Sequence, residues 1–259
     1  MKSLIPLALR IKIRQFIDRH WSARHYDSPF FGWMWSVINS DYKTSGLSFK
    51  LPKDMMPMGF RSRFFFDVYE IQERELALKH IKPSDSILEL GACIGVVSCV
   101  CNELLDDKQR HVVVEANPLL IPWLEKNKSL NSAQFTIEHA MLSDSSDGSF
   151  RIEKFIVSGS ANTTTGKRVT VPVISFTESC SKHHFSPSVI VMDIEGGELN
   201  FITENFSTIE NCSDLRMMII EMHPFIIGEE AVREVKKLLK ALRFECLESM
   251  GLVEVWKRQ

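Results

Sequence analysis

The chain has 259 residues, of which 44% are apolar and 25% charged, and its formal charge is −2. Those values fit one large globular domain, or a domain with an appendage, and either can bury a full core. They exclude a disordered tail, a collagen-like fibre and a disulfide-dense miniprotein. The near-neutral balance gives no bulk attraction to nucleic acid.

No apolar run is long enough to predict a transmembrane helix. The stretch Met1 to Leu9 has the look of a signal peptide, but Arg10, Lys12 and Arg14 interrupt it and no small-residue cleavage site comes after it, so it is read as uncleaved. The six cysteines form no C-x-x-C pair and none has a histidine at zinc-ligand spacing. They read as reduced thiols of a cytoplasmic protein.

Charge is unevenly spread. Residues 1–66 hold eleven Lys/Arg against four Asp/Glu, whereas 67–259 are net acidic. The first segment also carries Trp21, Trp33, Trp35 and the run Phe64-Phe65-Phe66, and Pro29, Pro52 and Pro57 break it into short pieces. It reads as a basic, aromatic-rich N-terminal extension that packs on the main domain. A substrate lid or a homo-oligomer contact is the sharper alternative. Residues 4–17 fit a basic amphipathic helix, which would allow peripheral membrane contact.

From residue 67 onward strands alternate with helices. A helical stretch, Arg74 to His80, ends before Pro83. Ser86 to Leu90 is a short apolar strand, succeeded by a helix over Ile94 to Leu105. His111 to Glu115 is the second strand, Leu119 to Leu130 a helix and Phe135 to Leu142 the third strand. Phe150 to Phe155 and Val169 to Val173 read as a hairpin around the polar loop Ser158 to Gly166. Val189 to Asp193 and Met217 to Met222 are fully apolar strands, Gly228 to Leu242 is helical, and two short strands close the chain. Continuous apolar strands between helices predict an α/β fold with a mostly parallel sheet covered on both faces. Ligands of such sheets bind beyond the carboxyl ends of the strands, so those ends are the places to look for chemistry.

After the first strand comes Glu89-Leu-Gly91-Ala92-Cys93-Ile-Gly95. A dinucleotide loop needs G-x-G-x-x-G, whose middle glycine makes room for a pyrophosphate. Cys93 stands in that place. E-x-G-x-x-x-G suits a nucleoside without phosphates, which points to S-adenosylmethionine rather than NAD. Glu115, twenty residues past Gly95, is placed to accept both ribose hydroxyls, and Asn117 lies two residues on. The fourth strand ends in Asp193-Ile-Glu195-Gly-Gly-Glu198 and the fifth in Glu221-Met-His223. Neighbouring strand ends would gather Asp193, Glu195, Glu221 and His223 at one rim. Glu198 reads as a helix-start acid.

These motifs make residues 67 to 225 similar to the FkbM family of S-adenosylmethionine-dependent methyltransferases. The resemblance rests on Tyr69-Glu70, Glu89-Leu-Gly-Ala-x-x-Gly95 and Glu115-Ala-Asn-Pro118. It continues through Leu124-x-x-Asn127-x-x-x-Asn131, Ala140-x-Leu-Ser-Asp144, Asp193-x-Glu-Gly-x-Glu198 and Glu221-x-His223. It implies a Rossmann-like class I fold with a seven-stranded sheet, and methylation of a hydroxyl on a sugar, glycan or glycosylated metabolite. By this resemblance Glu89, Gly91, Ala92, Gly95, Glu115 and Asn117 line the cofactor pocket, and Asp193, Glu195 and His223 face the acceptor. Two positions depart from the pattern. Val191 stands where the family usually has lysine, and Cys93 where asparagine is common.

A sugar hydroxyl is a weak nucleophile and needs a base or a metal to take its proton. His223 is the expected base, since an ordinary imidazole titrates near about 6.5, with Asp193 or Glu195 orienting it. The alternative is Mg or Mn held by Asp193, Glu221 and His223. Rival readings are an RNA methyltransferase, which should show a basic, aromatic face, a nicotinamide dehydrogenase, and a non-catalytic methyltransferase-like module.

Overall fold

The computed structural model describes residues 26–38, 41–144, 147–152 and 166–259. The amphipathic stretch 4–17, Trp21 and all but the last residue of the polar loop lie outside the described residues. The chain divides into two compact units between Ile71 and Gln72.

The first unit contains helix α1 (Pro29–Ile38), a hairpin of β1 (Tyr42–Thr44) and β2 (Leu47–Phe49), a 3-10 turn at Lys53–Met55 and helix α2 (Ser62–Phe66). Pro29 opens α1, where its missing N–H would have had no intrahelical partner. Gly32 is obligatory inside α1, because a Cβ there would stand 1.7 Å from the Met58 carbonyl oxygen. Trp35, Tyr42, Phe49, Phe60, Phe64 and Tyr69 are all buried. The Phe64 ring lies 5.0 Å from that of Tyr42 and 4.7 Å from that of Tyr69. The Tyr42 hydroxyl donates to Asp67 Oδ1 at 2.6 Å, which satisfies its polar end. The aromatic residues of this segment thus build an apolar cluster within their own unit. Sequence periodicity misses α1 because its apolar residues occupy every side: Trp35 is buried while Phe30, Trp33 and Val37 are exposed.

The second unit is layered, with helices on both faces of one sheet. Helix α3 (Ile71–His80) leads into β3 (Ile87–Leu90), α4 (Val96–Glu103), β4 (His111–Glu115), α5 (Ile121–Leu130) and β5 (Thr136–His139). A short excursion comes next: β6 (Met141–Leu142), β7 (Ser149–Ile152), β8 (Lys167–Thr170) and β9 (Val173–Ile174). The chain then returns through α6 (Phe176–Lys182), β10 (Val189–Met192), α7 (Glu198–Glu204), α8 (Phe206–Asn211), β11 (Met217–Glu221), α9 (Pro224–Ala241), β12 (Phe244–Met250) and β13 (Val253–Arg258).

The seven-stranded sheet has the order β12-β13-β11-β10-β3-β4-β5. Strands β5, β4, β3, β10 and β11 pair in parallel, and β13 is antiparallel to both β11 and β12. The predicted mostly parallel α/β sheet is therefore present, with β13 alone reversed. Side chains alternate along each strand. Leu88, Leu90, Val112, Val114, Ile190, Met192, Met218 and Ile220 face one core with Phe176, Phe201, Ile202, Val235 and Leu239 of the later helices. Ile87, Val189, Val191, Met217 and Ile219 face the other with Leu76, Ala77, Val97 and Cys101 of α3 and α4. Among the described residues, no helix is long and apolar enough to cross a membrane.

The expected third strand, Phe135 to Leu142, is really two. β5 runs beside β4 only to the level of Glu115, whose carbonyl accepts from the Ala140 amide at 3.2 Å. Beyond it β4 has ended, and the chain pairs instead with β9, starting with the Met141 amide on the Pro172 carbonyl at 2.8 Å. The expected hairpin forms, with Phe150 opposite Val169. Helix α9 starts at Pro224, ahead of the predicted Gly228, and Gly228 takes a left-handed kink at φ 82°.

The amino ends of the central strands are clamped by one carboxylate. Asp85 is buried and accepts from Arg216 Nε at 2.8 Å, the Lys82 amide at 2.7 Å and the Ser188 hydroxyl at 2.9 Å. Burial works to raise its pKa, but these donors, Arg216 first, hold it below the usual carboxylate range. A depressed folded-state pKa stabilises above the unfolded value and is lost as pH falls through the folded one. Asp85→Asn should therefore cost about 2 kcal/mol in urea unfolding at pH 7, and the gap from wild type should shrink as pH drops below about 4.

Candidate functional site

The sheet's topological switch lies between β3 and β10, which connect in opposite directions along the sheet, and ligands of such sheets bind at the carboxyl ends there. The loop after β3 turns through left-handed φ values at Gly91 (83°), Cys93 (49°) and Gly95 (82°). Gly91 sits opposite the residue after Met192 by the parallel register, and a Cβ on it would lie 1.7 Å from the Asp193 carbonyl oxygen. Only glycine permits that approach. The loop is braced from beneath by Asn127, buried, whose Nδ2 donates to the Ile94 carbonyl at 2.8 Å. Asn131 Nδ2 in turn donates to the Asn127 carbonyl at 2.9 Å.

Glu115 ends β4 beside this loop and is buried. Its Oε2 accepts from the Cys93 amide at 2.8 Å and its Oε1 from the Asn117 amide at 2.7 Å. Burial pushes its pKa up to about 7 against the pull of those amides. The Ala92 amide also bonds to this carboxylate, so three backbone amides hold it in one orientation. Asn117 is buried and turns the chain, its Oδ1 accepting from the Leu119 amide at 3.0 Å. Ala92 is buried in the loop between Gly91 and Cys93.

Glu89 stands apart from the other expected pocket residues. It is buried, with Oε1 accepting from the Ser98 hydroxyl at 2.6 Å and Oε2 3.0 Å from His111 Nε2. Both oxygens face the interior, where they tie β3 to α4 and β4 under the glycine loop. Val191, at the family's usual lysine position, packs with Leu76 and Ala77 of α3.

At the ends of β10 and β11 four acids surround one histidine. The register pairs Met192 with Ile220, so Asp193 and Glu221 emerge side by side. Left-handed turns at Glu195 (φ 48°) and Gly196 (φ 95°) fold the chain back into α7. His223 Nε2 lies 3.3 Å from Asp193 Oδ1, 3.6 Å from Glu195 Oε2 and 3.8 Å from Glu221 Oε2. Its Nδ1 is 2.8 Å from Glu198 Oε1, and that oxygen also accepts from the Gly196 amide at 3.0 Å. Glu198 is fully buried. It does occupy the first turn of α7, yet its partner is the histidine, and it rather than Asp193 or Glu195 holds Nδ1. Only its place in the motif Asp193-x-Glu-Gly-x-Glu198 hinted at this.

The rim residues expected together are together, but the histidine is not an ordinary imidazole. Burial works to lower its pKa, and the carboxylates of Asp193 and Glu198 overcome that and push it up to about 11. Those carboxylates favour the protonated imidazolium over the neutral base that sequence suggests. Burial, then Asp193, pushes Glu195 up to about 7. Burial, Asp193 and Glu73 push Glu221 up to about 10. Glu73, on α3, is a buried member of the cluster that sequence reasoning missed, and its pKa is raised by burial and then by Asp193.

Potential ligand atoms converge in two overlapping sets, Asp193-Glu195-His223 and Glu73-Asp193-Glu221, each within 4.8 Å. The expected set Asp193, Glu221 and His223 straddles the two. His183 lies elsewhere, its Nε2 2.8 Å from Glu138. The close approach at Gly91 gives a direct test. Gly91→Ala forces either β3 or β10 to shift, and should cost at least about 2 kcal/mol, read as a fall of several degrees in melting temperature.

The Methyltransferase FkbM domain family matches residues 89–246. None of the curated proteins matches the chain. Among solved structures, the chain is similar to precorrin-6Y C5,15-methyltransferase of Geobacter metallireducens, with 11% identity over 82% of this chain and 94% of that one and a TM-score of 0.49. It is similar to the FkbM methyltransferase of Methylobacillus flagellatus, with 12% identity over 77% of this chain and 52% of that one and a TM-score of 0.47. It is also similar to M. jannaschii TYW2 in complex with AdoMet, with 14% identity over 85% and 86% of the two chains and a TM-score of 0.45. The family match runs from the end of β3 into β12 and takes in both the glycine loop and the acid-histidine rim, so the chain belongs to the Methyltransferase FkbM domain family.

Proposed function

We propose that this protein is an S-adenosylmethionine-dependent O-methyltransferase acting on a hydroxyl of a sugar, glycan or glycosylated metabolite. The observation that carries the reading is an oriented buried carboxylate, Glu115, together with a cluster of acids around Asp193, both at the carboxyl edge of one sheet. Glu115 is held by the Cys93, Asn117 and Ala92 amides, and Asp193 and Glu195 stand beyond Gly91 at the end of β10, with His223 from the end of β11.

The chain fits the cofactor on its own geometry. The buried Glu115, with its raised pKa, gains most from two sugar hydroxyls donating to it, because they replace the water it has lost. Gly91 and Gly95 keep side chains out of the loop that would lie against the nucleoside, with Ala92 and Asn117 lining the same turn. S-adenosylmethionine, when bound, supplies an electrophilic methyl group on a sulfonium.

The protein's own task is to bind and align the acceptor hydroxyl and to take its proton. Asp193 and Glu195 are the acceptors of that hydrogen bond. Glu198 fixes His223 through Nδ1, and the Nε2–H of His223 then faces the same two carboxylates. The proton passes to a carboxylate oxygen of Asp193 or Glu195, and the imidazolium stabilises the carboxylate group while it waits for that proton. Acids in place of a basic, aromatic face favour a neutral polyol over RNA. The six free cysteines support a reducing, cytoplasmic setting.

Incubating the enzyme with methyl-labelled S-adenosylmethionine and a panel of nucleotide sugars, glycolipids and RNA should label a carbohydrate hydroxyl, located by mass spectrometry. Label only in RNA, or none from a protein that binds the cofactor, would overturn the reading. Glu115→Gln should weaken cofactor binding by roughly 10- to 100-fold in calorimetry, the worth of one or two charge-assisted hydrogen bonds.

A further inference from the structure

We infer that Glu73, Asp193 and Glu221, which bring carboxylate oxygens within 4.8 Å of one another at the carboxyl edge of the sheet, bind one hard divalent cation of the Mg or Mn kind. Three separate elements supply the ligands. Asp193 and Glu221 are adjacent because β10 and β11 run in register. Glu73 comes from α3, and it shares a helix face with Leu76 and Ala77, which pack on the sheet. Helix α3 precedes β3 and runs back along the sheet, so its first turn stands at the carboxyl edge.

The set is more than a gathering of surface acids. Glu73 is buried at 6% exposure, and its Oε2 has no hydrogen-bond partner among the described residues. Asp193 Oδ1 is likewise buried and makes no aligned hydrogen bond among them, His223 Nε2 standing 3.3 Å away. Buried anionic oxygens are normally met by donors or by a cation. In the neighbouring set Asp193-Glu195-His223, the imidazole supplies the positive partner, with Glu198 holding its far side. In the Glu73 set all three contributors are carboxylates, and Glu73 and Glu221 share a hydrogen bond, so their mutual repulsion is relieved by a proton or by a cation that takes its place.

Oxygen-only ligands select a hard ion over zinc or copper, and three carboxylates leave octahedral positions for water or an acceptor oxygen. Glu73 lies before residue 89, outside the family match, so the site is assembled from the family domain and the helix ahead of it. The use of the ion in methyl transfer rests on the function proposed above, but its binding does not.

The test is titration of the full chain, stripped with EDTA and dialysed, with Mn2+ monitored by electron paramagnetic resonance of the free ion. One Mn2+ per chain is expected, displaced by Mg2+, together with a rise in melting temperature on adding Mn2+. Glu73→Gln should weaken Mn2+ binding by at least about tenfold and leave S-adenosylmethionine affinity within about threefold, which also reports that the variant is folded. Glu195→Gln should leave Mn2+ binding within about threefold. Should Glu73→Gln fail to fold, Glu221→Gln and the wild-type melting shift carry the same test. No Mn2+ bound at about 1 mM, or binding lost in Glu195→Gln and kept in Glu73→Gln, overturns the site. If Mn2+ binds but no hydroxyl is methylated, the site stands and the proposed function falls. If methylation persists in EDTA with no Mn2+ bound, the site falls and the function stands.

Discussion

The register of three parallel strands governs the whole site. Leu90, Met192 and Ile220 sit at one level across β3, β10 and β11, so the residues after them, Gly91, Asp193 and Glu221, emerge in a row. A slip of one residue would send the acids to the opposite face of the sheet. The same row explains why residue 91 has no side chain and why the acids crowd. Two carboxylates about 5 Å apart repel by roughly 3 kcal/mol at an effective dielectric near 20. The sheet holds them there because its two apolar cores on either face fix the strands far more strongly than the rim loosens them.

Much of this architecture is legible in the amino-acid sequence, because a parallel strand buried on both sides has to be apolar at every position. Val189 to Met192 and Met217 to Ile220 read as strands for that reason, and the acids immediately after them read as the rim. The glycine loop and Glu115 are legible because their spacing is set by local turns. Less local facts are hidden. Glu73 reaches residues more than a hundred positions away, and nothing in α3 distinguishes it from a solvated helix acid. Glu198 reads as a cap because burial leaves no mark on a single glutamate. The third strand looks continuous because the pattern of Phe135 to Leu142 does not say where its neighbour β4 stops.

His223 illustrates the gap between a residue type and its setting. Imidazole invites the role of neutral base, yet the carboxylates of Asp193 and Glu198 beside it favour its protonated form. Glu198 contributes the decisive bond, since by gripping Nδ1 it leaves Nε2 no choice of direction. Glu89 and His111 form a second acid-imidazole pair directly beneath the glycine loop, with no solvent exposure to speak of. One pair organises chemistry and the other holds up the backbone on which that chemistry stands.

The reversed strand β13 has a consequence for how the chain matures. In the sheet it lies between β11 and β12, although both precede it in sequence. While the polypeptide is being made, the backbone edge of β11 must wait unpaired, and β12 has nothing to pair with. Val253, Val255 and Trp256 then enter a gap already bounded on two sides. Assembly of the sheet is thus tied to a strand made after both of its neighbours, and a nascent chain stalled before residue 253 would present a sticky open border to chaperones.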